Sequence, residues 1–173
     1  MTQTPRSHNR YRVAQLNPRQ ATPFELAPDA AARAAIATEL GISALPALRF
    51  RGEIRPAQSD AWEVTGKLTA KVVQPCVVTL APVKTSLAED VHRLLSPHAG
   101  THEADEVEMG DDELDALGQF IDVEAMMIEA LSLALPLYPR AEGAELDAPE
   151  DAPEEEGRKP FAGLADLLKG GGK

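Results

Sequence analysis

A single cysteine, Cys76, is all the thiol chemistry this chain possesses. One thiol excludes an internal disulfide and a multi-thiolate metal site, and it fits a reducing compartment. Aromatic residues are nearly as scarce, at 4% with one tryptophan. Trp62 is therefore a poor platform for stacking bases, and packing is its plainer role. Positive charge is short as well: 17 basic side chains face 28 acidic ones, for a net charge of -11. A surface of that sign repels a phosphate backbone, which disfavours a general nucleic-acid binder. No apolar run approaches the roughly 18 residues needed to span a bilayer. The longest, from Leu131 to Leu137, is broken by Pro136, with Pro139 close behind. The N-terminus, MTQTPRSHNRYR, is basic but has no apolar stretch behind it, unlike a secretory signal. These absences predict a soluble cytoplasmic protein.

Catalytic motifs are also missing. There is no G-x-S-x-G elbow, no phosphate-cradling glycine loop and no H-E-x-x-H helix. His98 and His102 have the spacing of two ligands on a helix, with Glu103 next to them, but Pro97 and Gly100 argue against a helix there. Cys76 lies among Pro75, Val77 and Val78, which supply no cation for a thiolate, so a structural strand cysteine is expected. Asp122 and Glu129 are two helical turns apart and could share a face as an acid/base pair; helix-dipole and surface roles are the simpler alternative. No cofactor and no small-molecule substrate is implied.

At 173 residues the chain has room for one domain plus tails, since two independent cores would each need roughly 100 residues. Residues 1–140 read as a single α+β domain. Tyr11 to Leu16 alternates weakly, as a short strand would. Pro28 and Asp29 open an Ala-rich helix that Gly41 stops, with Asp29 as cap. From Ala44 to Ser96 the apolar period is two, broken at Pro46, Pro56, Pro75 and Pro82. That pattern predicts long antiparallel strands, including one through Val77 to Leu80, in a curved meander that needs helices on its apolar face. Residues 97–118 read as an acidic loop. Ile121, Met127, Ile128, Leu131 and Leu135 then recur at helical spacing, so 120–135 should be the main core helix, with Asp122 near its N-terminus and Pro136 at its end. Residues 141–158 are an acidic linker expected to be disordered, and 159–173 an apolar peptide with a Gly-rich end.

Read in order, three segments resemble the YceD family of bacterial proteins. The strongest is Ile121-Asp122-Val123, then Glu129, then Leu133-Ala134-Leu135-Pro136 with Pro139, similar to the family's I-D-L, acidic residue and L-A-L-P-x-x-P pattern. Pro160-Phe161-Ala162 with Leu164 and Leu167 resembles its terminal N-P-F-A-x-L-x-x-L element, with Lys159 in place of Asn. Leu68 to Val83 occupies the place of a strand pair, where Cys76 matches the first cysteine of a C-x-x-C and Thr79 replaces the second. A His/Cys cluster expected after the L-P-x-x-P segment is absent from Arg140 to Leu146. The resemblance runs from about Leu68 onward; before that, only the strand-helix-strand order agrees. It implies a role in making or retaining large-subunit (23S) ribosomal RNA, with no catalytic residues to carry over.

Two binding readings follow. Between Glu103 and Glu156 there are nineteen acidic residues and one basic residue, Arg140. This half suits a basic ribosomal protein or ribosome-assembly factor. Phe161, Leu164, Leu167 and Leu168 would be a tethered apolar anchor for that partner, or a cap on the chain's own sheet. The alternative is direct contact with precursor large-subunit RNA through Arg49, Arg51 and Arg55, which alternate with apolar residues and so share a strand face. An RNA-processing hydrolase is a minor third reading.

Overall fold

The computed structural model describes residues 9–99 and 114–145. Its first unit, Met1–Glu142, contains all the elements given below. Of the second unit, Gly143–Lys173, residues 143–145 alone are described. The order is β1 (Arg10–Arg12), β2 (Thr22–Leu26), α1 (Ala30–Glu39), β3 (Ala44–Pro56), β4 (Trp62–Pro75), β5 (Pro82–Ser96), β6 (Leu114–Ala116), β7 (Phe120–Asp122) and α2 (Val123–Ala134).

Strands β2 to β5 form an antiparallel meander, and β6 adds to its β5 edge in parallel. The sheet is open, with strand order β2-β3-β4-β5-β6. The α+β class and the long antiparallel strands expected from the period-two pattern are present. Because side chains alternate, Phe50, Ile54, Val64, Leu68, Ala70 and Val72 all reach one face and are buried there. Ile36 and Ala37 of α1 and Val123, Met127 and Leu131 of α2 belong to the same apolar cluster. A bulge between Ala44 and Ala47 brings Leu45 into it. Arg33 secures α1 to this bulge, donating from Nε to the Leu45 carbonyl at 3.1 Å and from a guanidinium NH2 group to the Pro28 carbonyl at 2.6 Å.

Gly52 and Gly66 face each other across β3 and β4. A Cβ on Gly52 would collide with the Thr65 carbonyl oxygen and lie 2.6 Å from the Gly66 Cα. The missing side chains make room for the Phe24 and Phe50 rings, whose centroids are 5.0 Å apart.

Both helix starts follow local chemistry. Asp29 accepts from the Ala32 amide at 2.8 Å, and Asp122 accepts from the Ala125 amide at 3.0 Å. Gly41, at φ +65°, ends the first helix as expected.

Four local expectations are corrected. The first strand covers Arg10–Arg12, after which Val13–Gln15 make a short 3-10 turn. Phe120–Asp122 is strand rather than helix, because it pairs with β1; α2 starts at Val123, where the Asp122 cap satisfies the first turn. Val77 to Leu80 is a turn joining β4 and β5, with Leu80 at φ +60°. Leu114–Ala116, inside the expected loop, pairs with β5. The expected acidic loop otherwise falls largely on residues outside those described, as do the linker from residue 146 onward and the terminal apolar peptide.

Candidate binding surfaces

The sheet has a second face, and alternation puts its charged residues there. Arg49, Arg51 and Arg55 are exposed on β3, and Lys67 and Lys71 on β4. Lys84 of β5 stands opposite Val73 and so shares this face. The three arginines expected to share a strand face do so, but their electrostatic surroundings differ. Arg49 pairs with Glu25 at 3.1 Å, and Arg55 with Glu53. Lys67 is 3.7 Å from Asp90, a long contact between exposed groups that contributes little. His92 meets Glu63 at 2.8 Å on the same face. The face therefore mixes six cations (Arg49, Arg51, Arg55, Lys67, Lys71 and Lys84) with Glu25, Glu53, Glu63 and Asp90. Lys67 and Lys71 alternate with Leu68, Ala70 and Val72 as the arginines alternate with Leu48, Phe50 and Ile54, so the same period-two signal marks them in sequence.

The postulated carboxylate pair is divided. Asp122 caps α2 and meets Arg10 at 3.1 Å. Glu129 meets Arg93 at 2.6 Å, and Arg93 also lies 3.7 Å from Asp115. Arg93 therefore ties β5, β6 and α2 together, a role the sequence did not signal because Asp115 and Glu129 come from separate later segments. Trp62 is buried in the core. His98 follows β5, its amide donating to Ser96 Oγ at 3.1 Å; His102 lies outside the described residues.

Cys76 sits in the β4–β5 turn rather than in a strand, and is fully buried. Its sulfur accepts from the amides of Val78 at 3.4 Å, Thr79 at 3.5 Å and Ala141 at 3.4 Å. The structure thus brings the turn with Cys76 and Thr79 against the start of Arg140 to Leu146, the two places where the sequence lacks the cysteine or His/Cys cluster of the family pattern. Among the described residues no group of three His, Cys, Asp or Glu side chains could hold a metal ion. A one-sulfur donor set does not fit a thiolate metal site; the sulfur is met by three backbone amides.

The Thr79 side chain, the Ala141 amide and the Thr79 amide lower the thiol from its ordinary 9.0 to about 6, outweighing burial, which pushes it upward. An acid whose pKa falls on folding adds stability that is complete above its unfolded value and is lost as pH falls through its folded one. Thermal stability is accordingly expected to rise from pH 6 to pH 9 by more in the native sequence than in Cys76→Ala, as read by melting temperature at each pH. Equal slopes in the two proteins would contradict this assignment.

A third surface lies beside that turn. Val77, Leu80, Leu133, Leu137 and Tyr138 are exposed, while Pro139 between them is buried. Val77, Leu80, Leu137 and Tyr138 lie in turns outside any helix or strand, where periodicity carries no signal of exposure. Of the family-pattern residues, Ile121 is buried, Leu135 and Pro136 are half-buried, and Pro160, Phe161, Leu164, Leu167 and Leu168 lie outside the described residues.

A family model described as Large ribosomal RNA subunit accumulation protein YceD matches residues 64–168, from the third residue of β4 through α2 and beyond. Neither the comparison with curated proteins nor that with solved structures gives a match.

Proposed function

The chain belongs to the YceD family, and from that premise we propose that it is a non-enzymatic factor supporting accumulation of large-subunit ribosomal RNA by binding a basic ribosomal protein or assembly factor. The observation that carries this reading is the excess of nineteen acidic residues over one basic residue between Glu103 and Glu156. Such a stretch speeds encounter with a cationic partner and discriminates against polyanions. A binding role without catalysis is supported by the way Asp122 and Glu129 are each occupied by an arginine, at 3.1 and 2.6 Å, instead of facing each other. No helix among the described residues is long and apolar enough to cross a membrane.

The open sheet face favours a second reading, direct contact with precursor RNA. Arg51, Lys67, Lys71 and Lys84 are its cations without a close carboxylate partner inside 3.5 Å among the described residues. Such contacts would weaken steeply with salt.

One experiment separates the two. The full chain and a chain ended at Gly157 are used for affinity capture, and ribosomal proteins and RNA are compared before and after nuclease. Retention of basic proteins after nuclease is the expected result; complete loss of them removes the leading reading. Under the second reading, RNA captured by the full chain disappears when Arg51, Lys67, Lys71 and Lys84 are all changed to Ala, and RNA capture that survives this change excludes that face.

A further inference from the structure

We propose that a hollow on the charged sheet face, beside the start of α1, is a phosphate-binding site that takes one nucleotide unit of an RNA strand. This rests on the second reading above, direct RNA contact, and gives that contact a centre and a further residue, Arg33.

The hollow follows from where the strands stop. β2 ends at Leu26, opposite Phe50, so among the described residues no strand flanks β3 on that side from Arg49 back to Ala44. The bulge there leaves both Pro46 and Ala47 exposed. In the adjoining row across the sheet, Lys71 has Ala47 on one side and Ser86 on the other; in the next row Arg49 stands opposite Thr69. Short side chains between long cations leave a space of about 510 Å3, whose polar lining is Arg33, Arg49, Thr69, Lys71 and Ser86. No described carboxylate lines it. A volume of that size suits a small ligand.

Arg33 is the cation with the greatest need of an anion. It is half-buried, and its Nε and one NH2 group are fixed by the Leu45 and Pro28 carbonyls at 3.1 and 2.6 Å. Those contacts satisfy hydrogen bonds without neutralising the charge, and among the described residues Arg33 forms no ion pair. A guanidinium withdrawn from water without a counter-charge favours an incoming anion, and its planar fork fits phosphate oxygens. Lys71 is exposed and likewise forms no ion pair among the described residues. Arg49 holds Glu25 at 3.1 Å, an exposed pair that is cheap to exchange. Thr69 and Ser86, both exposed, add hydroxyl donors. Asp29, next to Pro28, is engaged by the Ala32 amide at 2.8 Å.

The surroundings favour a strand over a free phosphate. Cations continue on both sides of the hollow: Lys84 stands opposite Val73 beyond Ser86, and Arg51 directly opposite Lys67 beyond Thr69. An acidic protein segment fits less well, because none of the described large exposed apolar side chains lines the hollow to serve as an anchor. The net charge of -11 does not decide the matter, since exposed charges beyond about 8 Å are largely screened at physiological ionic strength.

The test follows the anisotropy of a fluorescein-labelled single-stranded RNA decamer titrated with the full chain and with its Arg33→Gln, Lys71→Gln and Arg55→Gln variants, across a series of salt concentrations. Arg33→Gln and Lys71→Gln are each expected to weaken binding roughly tenfold at low salt, the effect of losing one charge-assisted hydrogen bond. Each should also flatten the slope of log affinity against log salt by about 0.7, the single-strand value for one phosphate contact. Arg55→Gln, on the same face but outside the hollow and paired with Glu53, should change affinity less than about twofold. If Arg33→Gln lowers the melting temperature through loss of its brace, the exposed Lys71 variant carries the decision. RNA binding that Lys71→Gln leaves unchanged, or that Arg55→Gln weakens equally, overturns the hollow and leaves the RNA-contact reading standing. Absence of RNA binding by the native chain overturns both. Displacing the decamer is expected to need roughly a hundredfold more adenosine monophosphate than unlabelled RNA, because a mononucleotide lacks the neighbouring contacts. Equal potency of the two assigns the hollow to a free nucleotide and overturns the strand.

Discussion

Alanine at Gly52 is expected to destabilise the protein by about 3 kcal/mol, the upper end of ordinary overpacking. The added methyl would meet the Thr65 carbonyl oxygen and the Gly66 Cα, both backbone, so no rotamer change can relieve it. It would also lie 2.9 Å from the Phe24 ring. Strands β3 and β4 would have to separate where they run in continuous register from Ala47/Lys71 to Pro56/Trp62. Gly66→Ala should cost less, because the atom nearest its Cβ is a ring carbon of Phe50 at 2.7 Å, and a side chain can shift more readily than a strand. Urea denaturation of both variants measures the difference; a Gly52→Ala midpoint equal to that of the native chain would contradict the predicted clash.

The second large effect lies in α2. Leu131 is fully buried with Met127 and Val123 in the cluster that α2 shares with the sheet. Leu131→Ala removes the buried atoms and leaves a cavity among strands that cannot collapse freely, at an expected cost of about 3 kcal/mol. Leu133→Ala, two positions along the same helix, should change stability by less than about 0.5 kcal/mol because Leu133 is largely exposed. This contrast is a direct check on the surface assignment: two positions along a helix face opposite ways, so Leu131 falls on the buried stripe and Leu133 off it. A large loss at Leu133 would mean that its side chain is covered.

Much of the scaffold was legible before any coordinates. Asp29 and Gly41 marked the ends of α1 because capping and left-handed termination are set within a few residues. The prolines at 56, 75 and 82 marked strand ends, since proline donates no ladder hydrogen bond. What failed depended on distant partners. Phe120–Asp122 continues the apolar pattern of α2, yet it pairs with Arg10–Arg12 more than a hundred residues earlier. Leu114–Ala116 is strand only because the β5 edge accepts it. Thr22–Leu26 was missed for the same reason, as its register comes from β3.

The candidate surfaces divide along the same line. Alternation alone placed Arg49, Arg51 and Arg55 on one strand face, but the pairing of Arg49 with Glu25 required the adjacent strand β2, while Arg55 meets Glu53 two residues away on its own strand. Composition alone established the net charge, the lone thiol and the lack of catalytic motifs, because these need no partner. The sequence likewise determined the capped helices and the period-two strands, whose causes act over a few residues. Tertiary structure decided that Cys76 sits in a hydrogen-bonded turn against Ala141, that Arg93 joins two carboxylates, and that Val77, Leu80, Leu137 and Tyr138 are left uncovered. Each of these depends on which remote segment arrives next to which, and local propensities do not encode that.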